Sequence, residues 1–260
     1  MKFSKKSLGQ NFLIDKNVIK KITSLVNISN KNIIEIGPGK GALTNEIIKA
    51  KPKSFKLIEK DNDLFNKLKL NYSEFEFLEI YNNDVLKFDI EKILKKNTII
   101  FGNLPYNISS QILVKILKLK KWPPNISDII FMFQKELGEK IIGKFLTKNY
   151  GRLSIISEFR LKMVKNFLVS PNSFFPKPKI TSMVIHFQPK KNSFKIKNID
   201  NLETVTNIFF SNKRKMINKS ANKILSKNQM DKIPGLELHL RPSELKPDIY
   251  YKITELFEKK

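Results

Sequence analysis

The stretch Ile33-Ile34-Glu35-Ile36-Gly37-Pro38-Gly39-Lys40-Gly41-Ala42-Leu43-Thr44 constrains this chain more than any other. A short apolar strand, Ile33 to Ile36, runs into a glycine-rich turn, and helical spacing follows through Ile47 and Ile48. Glycines adopt positive φ and let backbone come close to a ligand. About twenty residues on, a second strand, Phe55 to Ile58, ends in Glu59, where a carboxylate can accept hydrogen bonds from ribose hydroxyls. Gly37-x-Gly39-x-x-Ala42 satisfies the dinucleotide fingerprint, so a nicotinamide site is one reading. Glu35 inside the strand and the crowded Gly-Pro-Gly-Lys-Gly do not suit a pyrophosphate loop. A methyl-donor site for S-adenosylmethionine, which needs no phosphate cradle, is the second reading.

The rest of the chain continues the alternation. Asp15 caps a helix carrying Val18, Ile19, Ile22 and Val26 on one face. Asp63 to Leu70 is a helix with Leu64, Phe65 and Leu68 inward. Glu74 to Ile80 is a third strand closing at Asn82-Asn83-Asp84-Val85. There Asp84 either holds an adenine amino group or is a plain Asx-turn residue. Phe88 to Leu94 is a short helix, and Thr98 to Phe101 a buried strand leading to a helix capped by Ser109. Ser127 to Gln134 is a fifth strand, Lys135 to Phe145 and Leu153 to Leu161 are helices, and Val164 to Val169 is a strand. Ser170 to Lys179 is too rich in proline for regular structure, and Thr181 to Phe187 closes the sheet. From Leu202 onward only helical periodicity remains, with a basic helical stretch at Asn212 to Lys219. The pattern therefore places a sheet domain over residues 1–190 and a small helical domain with a cationic face over 191–260.

Asn103-Leu104-Pro105-Tyr106 sits just outside the carboxyl end of a strand, where open α/β sheets place ligands. The four residues suit the holding of a flat ring that carries an amine. Asn103 offers an amide oxygen as acceptor. Pro105 pushes Leu104 into an extended conformation that can aim its carbonyl outward. Tyr106 supplies an aromatic face. Two acceptors gripping the amino protons favour a nucleophilic nitrogen and stabilise the positive charge that grows on it. The plain alternative is a strand-to-helix turn with proline as punctuation. Phe174 and Phe175 are candidates for a second stacking face, against half-buried packing as the ordinary role of loop aromatics. His186 and His239 lack partner carboxylates at ligand spacing, so neither carries a catalytic or metal role, and no metal signature is present.

Charge narrows the partner. Lys and Arg number 49 against 24 Asp and Glu, a formal net charge of +25. Such a surface attracts polyanions and makes binding salt-dependent. There is no cysteine, which excludes a disulfide framework and suits a reducing cytosol. No apolar run approaches a transmembrane span. The basic start, Met1 to Lys6, leads into no signal-peptide segment.

Seven collinear motifs resemble the ribosomal RNA adenine dimethyltransferase family, most closely its small-subunit branch. They are Gly9-Gln10-Asn11-Phe12-Leu13, Glu35 to Thr44, Glu59, Asp84, Asn103 to Ser109, Tyr150-Gly151-Arg152-Leu153-Ser154, and Phe174-Phe175-Pro176-Lys177-Pro178-Lys179-Ile180. The resemblance implies a Rossmann-like α/β methyltransferase sheet, mostly parallel with the last strand antiparallel, and a helical C-terminal domain. It implies that Asn11, Leu13, Gly37, Glu59, Asp84 and Asn103 lie against S-adenosylmethionine. Asn103, Leu104, Tyr106 and Phe174 are then expected to hold the target base, with Tyr106 and Phe174 sandwiching the ring. The implied substrate is a pair of adjacent adenines near the 3′ end of small-subunit (16S) ribosomal RNA within an immature subunit. A cytoplasmic monomer is expected. The family's large-subunit branch shares the donor loop, but the Asn107-Ile108-Ser109 continuation and Tyr150 to Leu153 favour the small-subunit branch. Two departures bear on RNA docking: Ser211-Asn212-Lys213-Arg214-Lys215 replaces a Gln-Arg-Arg-Lys run, and Phe175 stands where relatives are often polar.

Overall fold

The computed structural model describes residues 11–259. Gly9, Gln10 and the basic start at Met1 to Lys6 lie outside the described residues. In chain order the elements begin with β1 (Phe12–Leu13), α1 (Lys16–Thr23), β2 (Asn32–Ile36), α2 (Ala42–Lys49), β3 (Ser54–Glu59), α3 (Asn62–Asn71) and β4 (Leu78–Asn82). They continue with β5 (Thr98–Asn103), α4 (Ser109–Leu117), β6 (Ile126–Gln134), α5 (Lys135–Ile141), α6 (Arg152–Arg160), β7 (Leu161–Val169), β8 (Phe174–Phe175) and β9 (Ser182–Pro189). The remainder is helical: α7 (Ile199–Phe210), α8 (Asn218–Ile224), α9 (Lys227–Met230) and α10 (Pro247–Phe257).

Seven strands form one sheet in the order β4-β3-β2-β5-β6-β9-β7. The pairs β4/β3, β3/β2, β2/β5 and β5/β6 are parallel, and β9 runs antiparallel to β6. This is the α/β architecture expected. Helices cover parallel strands on both faces, so the inner strands are continuous apolar runs. Ile33, Ile34, Ile36, Phe55, Leu57, Ile99, Ile100 and Phe101 are accordingly all buried. The chain leaves β2 toward β3 on one side and returns to β5 on the other. This reversal opens a crevice at the carboxyl ends of β2 and β5.

Asp15 caps α1 as expected, accepting from the Asn17 and Val18 amides at 2.9 and 3.2 Å. Other expectations need correction. The third strand begins at Leu78, not Glu74, because a turn runs through Phe77. Ser109 is the first residue of α4 and not its cap; Ile108 holds the cap position, and the Ser109 hydroxyl donates to the Tyr106 carbonyl at 3.2 Å. The proline-rich loop contains a strand, β8, paired antiparallel with β1 so that Phe12 faces Phe175 and Leu13 faces Phe174. His186 does have a carboxylate partner: the β6/β9 ladder brings its Nε2 to 2.8 Å from Asp128 Oδ1.

The chain forms two compact units, Met1–Gly138 with Lys162–Pro189, and Glu139–Leu161 with Lys190–Lys260. The second is helical. Phe209 meets Tyr250 edge-on at 5.5 Å, and the Tyr150, Tyr250 and Tyr251 hydroxyls donate to the carbonyls of Leu245, Pro242 and Ile155. Within it, Ser211 to Lys215 is an exposed turn between α7 and α8 rather than a basic helix. No apolar residue anchors that turn before Ile217, which is buried and donates its amide to Leu240. No helix among the described residues is long and apolar enough to cross a membrane.

Candidate active site

One cavity occupies the crevice at the strand ends. Gly37 and Gly39 carry it past β2, Glu59 past β3, Asp84 past β4, and Asn103 to Tyr106 past β5. Of the residues expected from sequence, Asn11, Leu13, Gly37, Glu59, Asp84, Asn103, Leu104 and Tyr106 all line it.

Phe174 does not line it. Strand alternation points Phe174 and its partner Leu13 into the core, where each is 3% exposed. Burying a phenyl group stabilises a fold by about 1.5–3 kcal/mol, so the ring has no reason to turn outward. The expected sandwich of Tyr106 with Phe174 is therefore not the arrangement found.

The turn after β2 is shaped by steric necessity. Gly39 has φ +61°, and a Cβ there would meet the Phe12 ring at 3.2 Å. Gly41 has φ +81° at the N-cap of α2; a Cβ there would collide with the Tyr72 hydroxyl, which donates to Asn45 Oδ1 at 2.7 Å. Non-glycine residues pay for positive φ, and here no space offsets the strain. We expect Gly41→Ala to lose about 3 kcal/mol of stability. Its urea midpoint should fall accordingly, whereas exposed Lys53→Ala should leave the midpoint in place.

Glu59 is buried, and both carboxylate oxygens are engaged: Oε2 accepts from the Gly39 amide at 3.1 Å and Oε1 from the Asp61 amide at 2.8 Å. Each oxygen keeps a second lone pair for a ligand hydroxyl. Burial raises its pKa, against the lowering effect of these amides. Asp84 is an Asx-turn residue that also lines the cavity. Its Oδ1 closes an Asx turn on the Leu86 amide at 2.9 Å, its Oδ2 meets Lys60 Nζ at 2.9 Å, and the side chain still lines the cavity. The Lys60 contact foremost holds its pKa below the usual carboxylate range.

Asn103 is oriented by its own amide. Nδ2 donates to the Asn11 carbonyl at 3.3 Å, which assigns Oδ1 as the acceptor end. The Leu104 side chain packs inward beside Gly102 and is 2% exposed, so only its backbone can serve a ligand. Tyr106 is pinned by a 2.7 Å hydrogen bond between its hydroxyl and Ser182 Oγ.

Sequence reading missed three residues. Ser182 lies 76 positions from the tyrosine it holds, and β9 packing brings it there. Glu35 also lines the cavity and is fully buried; Thr44, one turn into α2, donates to its Oε2 at 2.7 Å. Burial pushes the Glu35 carboxyl up to about 8, with Thr44 opposing and Glu59 adding to the rise. The acidic position inside a strand was the available signal.

The cavity thus gathers glycine backbone, a buried carboxylate, an oriented amide oxygen and a fixed aromatic ring. The family model for ribosomal RNA adenine dimethylase matches residues 1–259. The chain is 45% identical to Ribosomal RNA small subunit methyltransferase A of Pelagibacter ubique, over 98% of this chain and 97% of that protein. A crystal structure of a dimethyladenosine transferase from Plasmodium falciparum superposes with a TM-score of 0.75 at 26% identity, covering 93% of this chain and 95% of that one. The 23S rRNA methyltransferase ErmE shares the fold, with a TM-score of 0.69 at 21% identity over 95% of this chain and all of the other.

Proposed function

Because the chain belongs to the ribosomal RNA adenine dimethylase family, we propose that it dimethylates the 6-amino groups of two adjacent adenosines near the 3′ end of small-subunit ribosomal RNA. The observation that carries this reading is the Asn103 amide. Its nitrogen is spent on Asn11, and its oxygen is left as acceptor beside Tyr106 in the same cavity as the glycine turn.

The residues fit S-adenosylmethionine as the donor. Glu59 keeps lone pairs for ribose hydroxyls and Asp84 for an adenine amino group. Gly37, Asn11 and Leu13 bound the space between them. When bound, the donor supplies an electrophilic methyl group on a positively charged sulfur.

The chain's own residues do the rest. Exposed Lys213, Arg214 and Lys215 of the helical unit bind RNA backbone, a sequence-blind contribution to affinity. The target adenine leaves its stack, as base-modifying enzymes require, and lies on the Tyr106 ring. Asn103 Oδ1 and the Leu104 carbonyl accept the two amino protons, which aims the nitrogen lone pair along the line of attack. As charge grows on that nitrogen the same two dipoles stabilise it, and the product nitrogen then gives up a proton readily. Alignment and preorganised dipoles supply the rate. The natural substrate is the immature small subunit in the cytoplasm, and the enzyme acts on it as a monomer.

Incubating the protein and labelled S-adenosylmethionine with small or large subunits from cells lacking the enzyme tests the reading. Label should enter small-subunit RNA as dimethyladenosine. Label confined to the large subunit, or absent from both, would sink it.

A further inference from the structure

The β1/β8 pair sorts four side chains by face. Leu13 and Phe174 go into the core; Phe12 and Phe175, directly opposed in the ladder, share the other face. Phe12 lines the cavity and carries Lys40 Nζ 4.6 Å from its ring centre. Phe175 stands one strand outside the lining and is 59% exposed, the sole aromatic among the exposed large hydrophobic side chains of the described residues.

A lone exposed ring needs no explanation on a protein surface. This ring has a context. Directly opposed residues of an antiparallel pair are near neighbours, so Phe175 extends the aromatic surface of the cavity wall outward from Phe12. Exposed Lys177 and Lys179 follow it, and the same loop leads into Ser182, the residue that pins Tyr106. An aromatic plate flanked by cations, continuous with the binding cavity, has the makeup of a single-stranded nucleic-acid platform.

We propose that Phe175 stacks an unpaired RNA base flanking the target adenine, with Lys177 and Lys179 meeting its phosphates. This rests on the reading of the chain as an RNA adenine methyltransferase. Phe175 is then a positioning residue: it touches RNA beside the target and acts on the reaction by fixing the strand.

Base–aromatic stacking is worth roughly five- to 150-fold in affinity per base. Initial rates of methyl transfer to small subunits should therefore give Phe175→Ala a KM for subunits about tenfold above that of the parent, with kcat within about twofold. Phe175→Trp should restore the parent KM and Phe175→Leu should not. Calorimetric affinity for S-adenosylmethionine and the melting temperature should stay at parental values in all three. An unchanged KM in Phe175→Ala would overturn the proposal. So would rescue by Leu as well as by Trp, which would mark burial rather than stacking, or a loss of melting temperature in step with activity. If the parent protein itself left small subunits unmethylated, the failure would lie with the proposed function and not with Phe175.

Discussion

Asn103→Ala should lower kcat/KM for methyl transfer to small subunits by two to three orders of magnitude while leaving the fold intact. Removing one preorganised dipole aimed at developing charge costs about 2.7–4 kcal/mol in well-studied sites. The substitution also removes the hydrogen bond that Asn103 Nδ2 donates to the Asn11 carbonyl at 3.3 Å. That second loss is small, because the bond is a long one. Melting temperature should accordingly shift by only a few degrees. Asn103→Asp sharpens the test. It keeps an acceptor oxygen but has no amide nitrogen for Asn11, so two oxygens face each other and the side chain rotates away. An intermediate rate for Asp, below Asn and above Ala, would fit an orientation held by the Asn11 contact. Near-normal transfer by Asn103→Ala would remove the basis for the proposed chemistry.

Much of this site was legible because its parts are local. A strand, a glycine turn and a helix follow one another in the chain, and so do the strand β5, the Asn103 to Tyr106 turn and the helix α4. Buried parallel strands announce themselves as apolar runs. What stayed hidden depends on partners distant in sequence. Which of Phe174 and Phe175 faces inward is set by a two-residue ladder to Phe12 and Leu13, and a shift of one residue would exchange their faces. The hydroxyl that steadies Tyr106 comes from β9, and the carboxylate beside His186 comes from β6. The strand at Leu78 starts later than its composition suggests, since Phe75 and Phe77 pack against the core from the turn that precedes it. The helical unit recruits residues 139–161, which precede the last strands of the sheet, and periodicity along the chain has no means of assigning them.

Glu35→Gln should change how stability depends on pH more than any other single substitution at this site. In the unfolded chain Glu35 ionises near 4.5; in the folded protein burial holds it protonated up to about 8. Between those values folding takes up a proton, so stability from this group is greatest below 4.5, declines as pH rises through the window, and levels off above 8. Each unit of that window is worth about 1.4 kcal/mol. Glutamine keeps the shape and can still accept from Thr44 through its amide oxygen, but it does not ionise. Burial raises Glu59 too, and its contribution is common to both proteins. The stability of Glu35→Gln relative to the parent, from urea unfolding, should therefore increase by about 3 kcal/mol between pH 5.5 and pH 8.5. Above pH 8 the two curves should run parallel. Curves already parallel across the whole range would mean that Glu35 ionises in the fold as it does in the unfolded chain. The cavity floor would then carry a full negative charge beneath the glycine turn rather than a neutral acid.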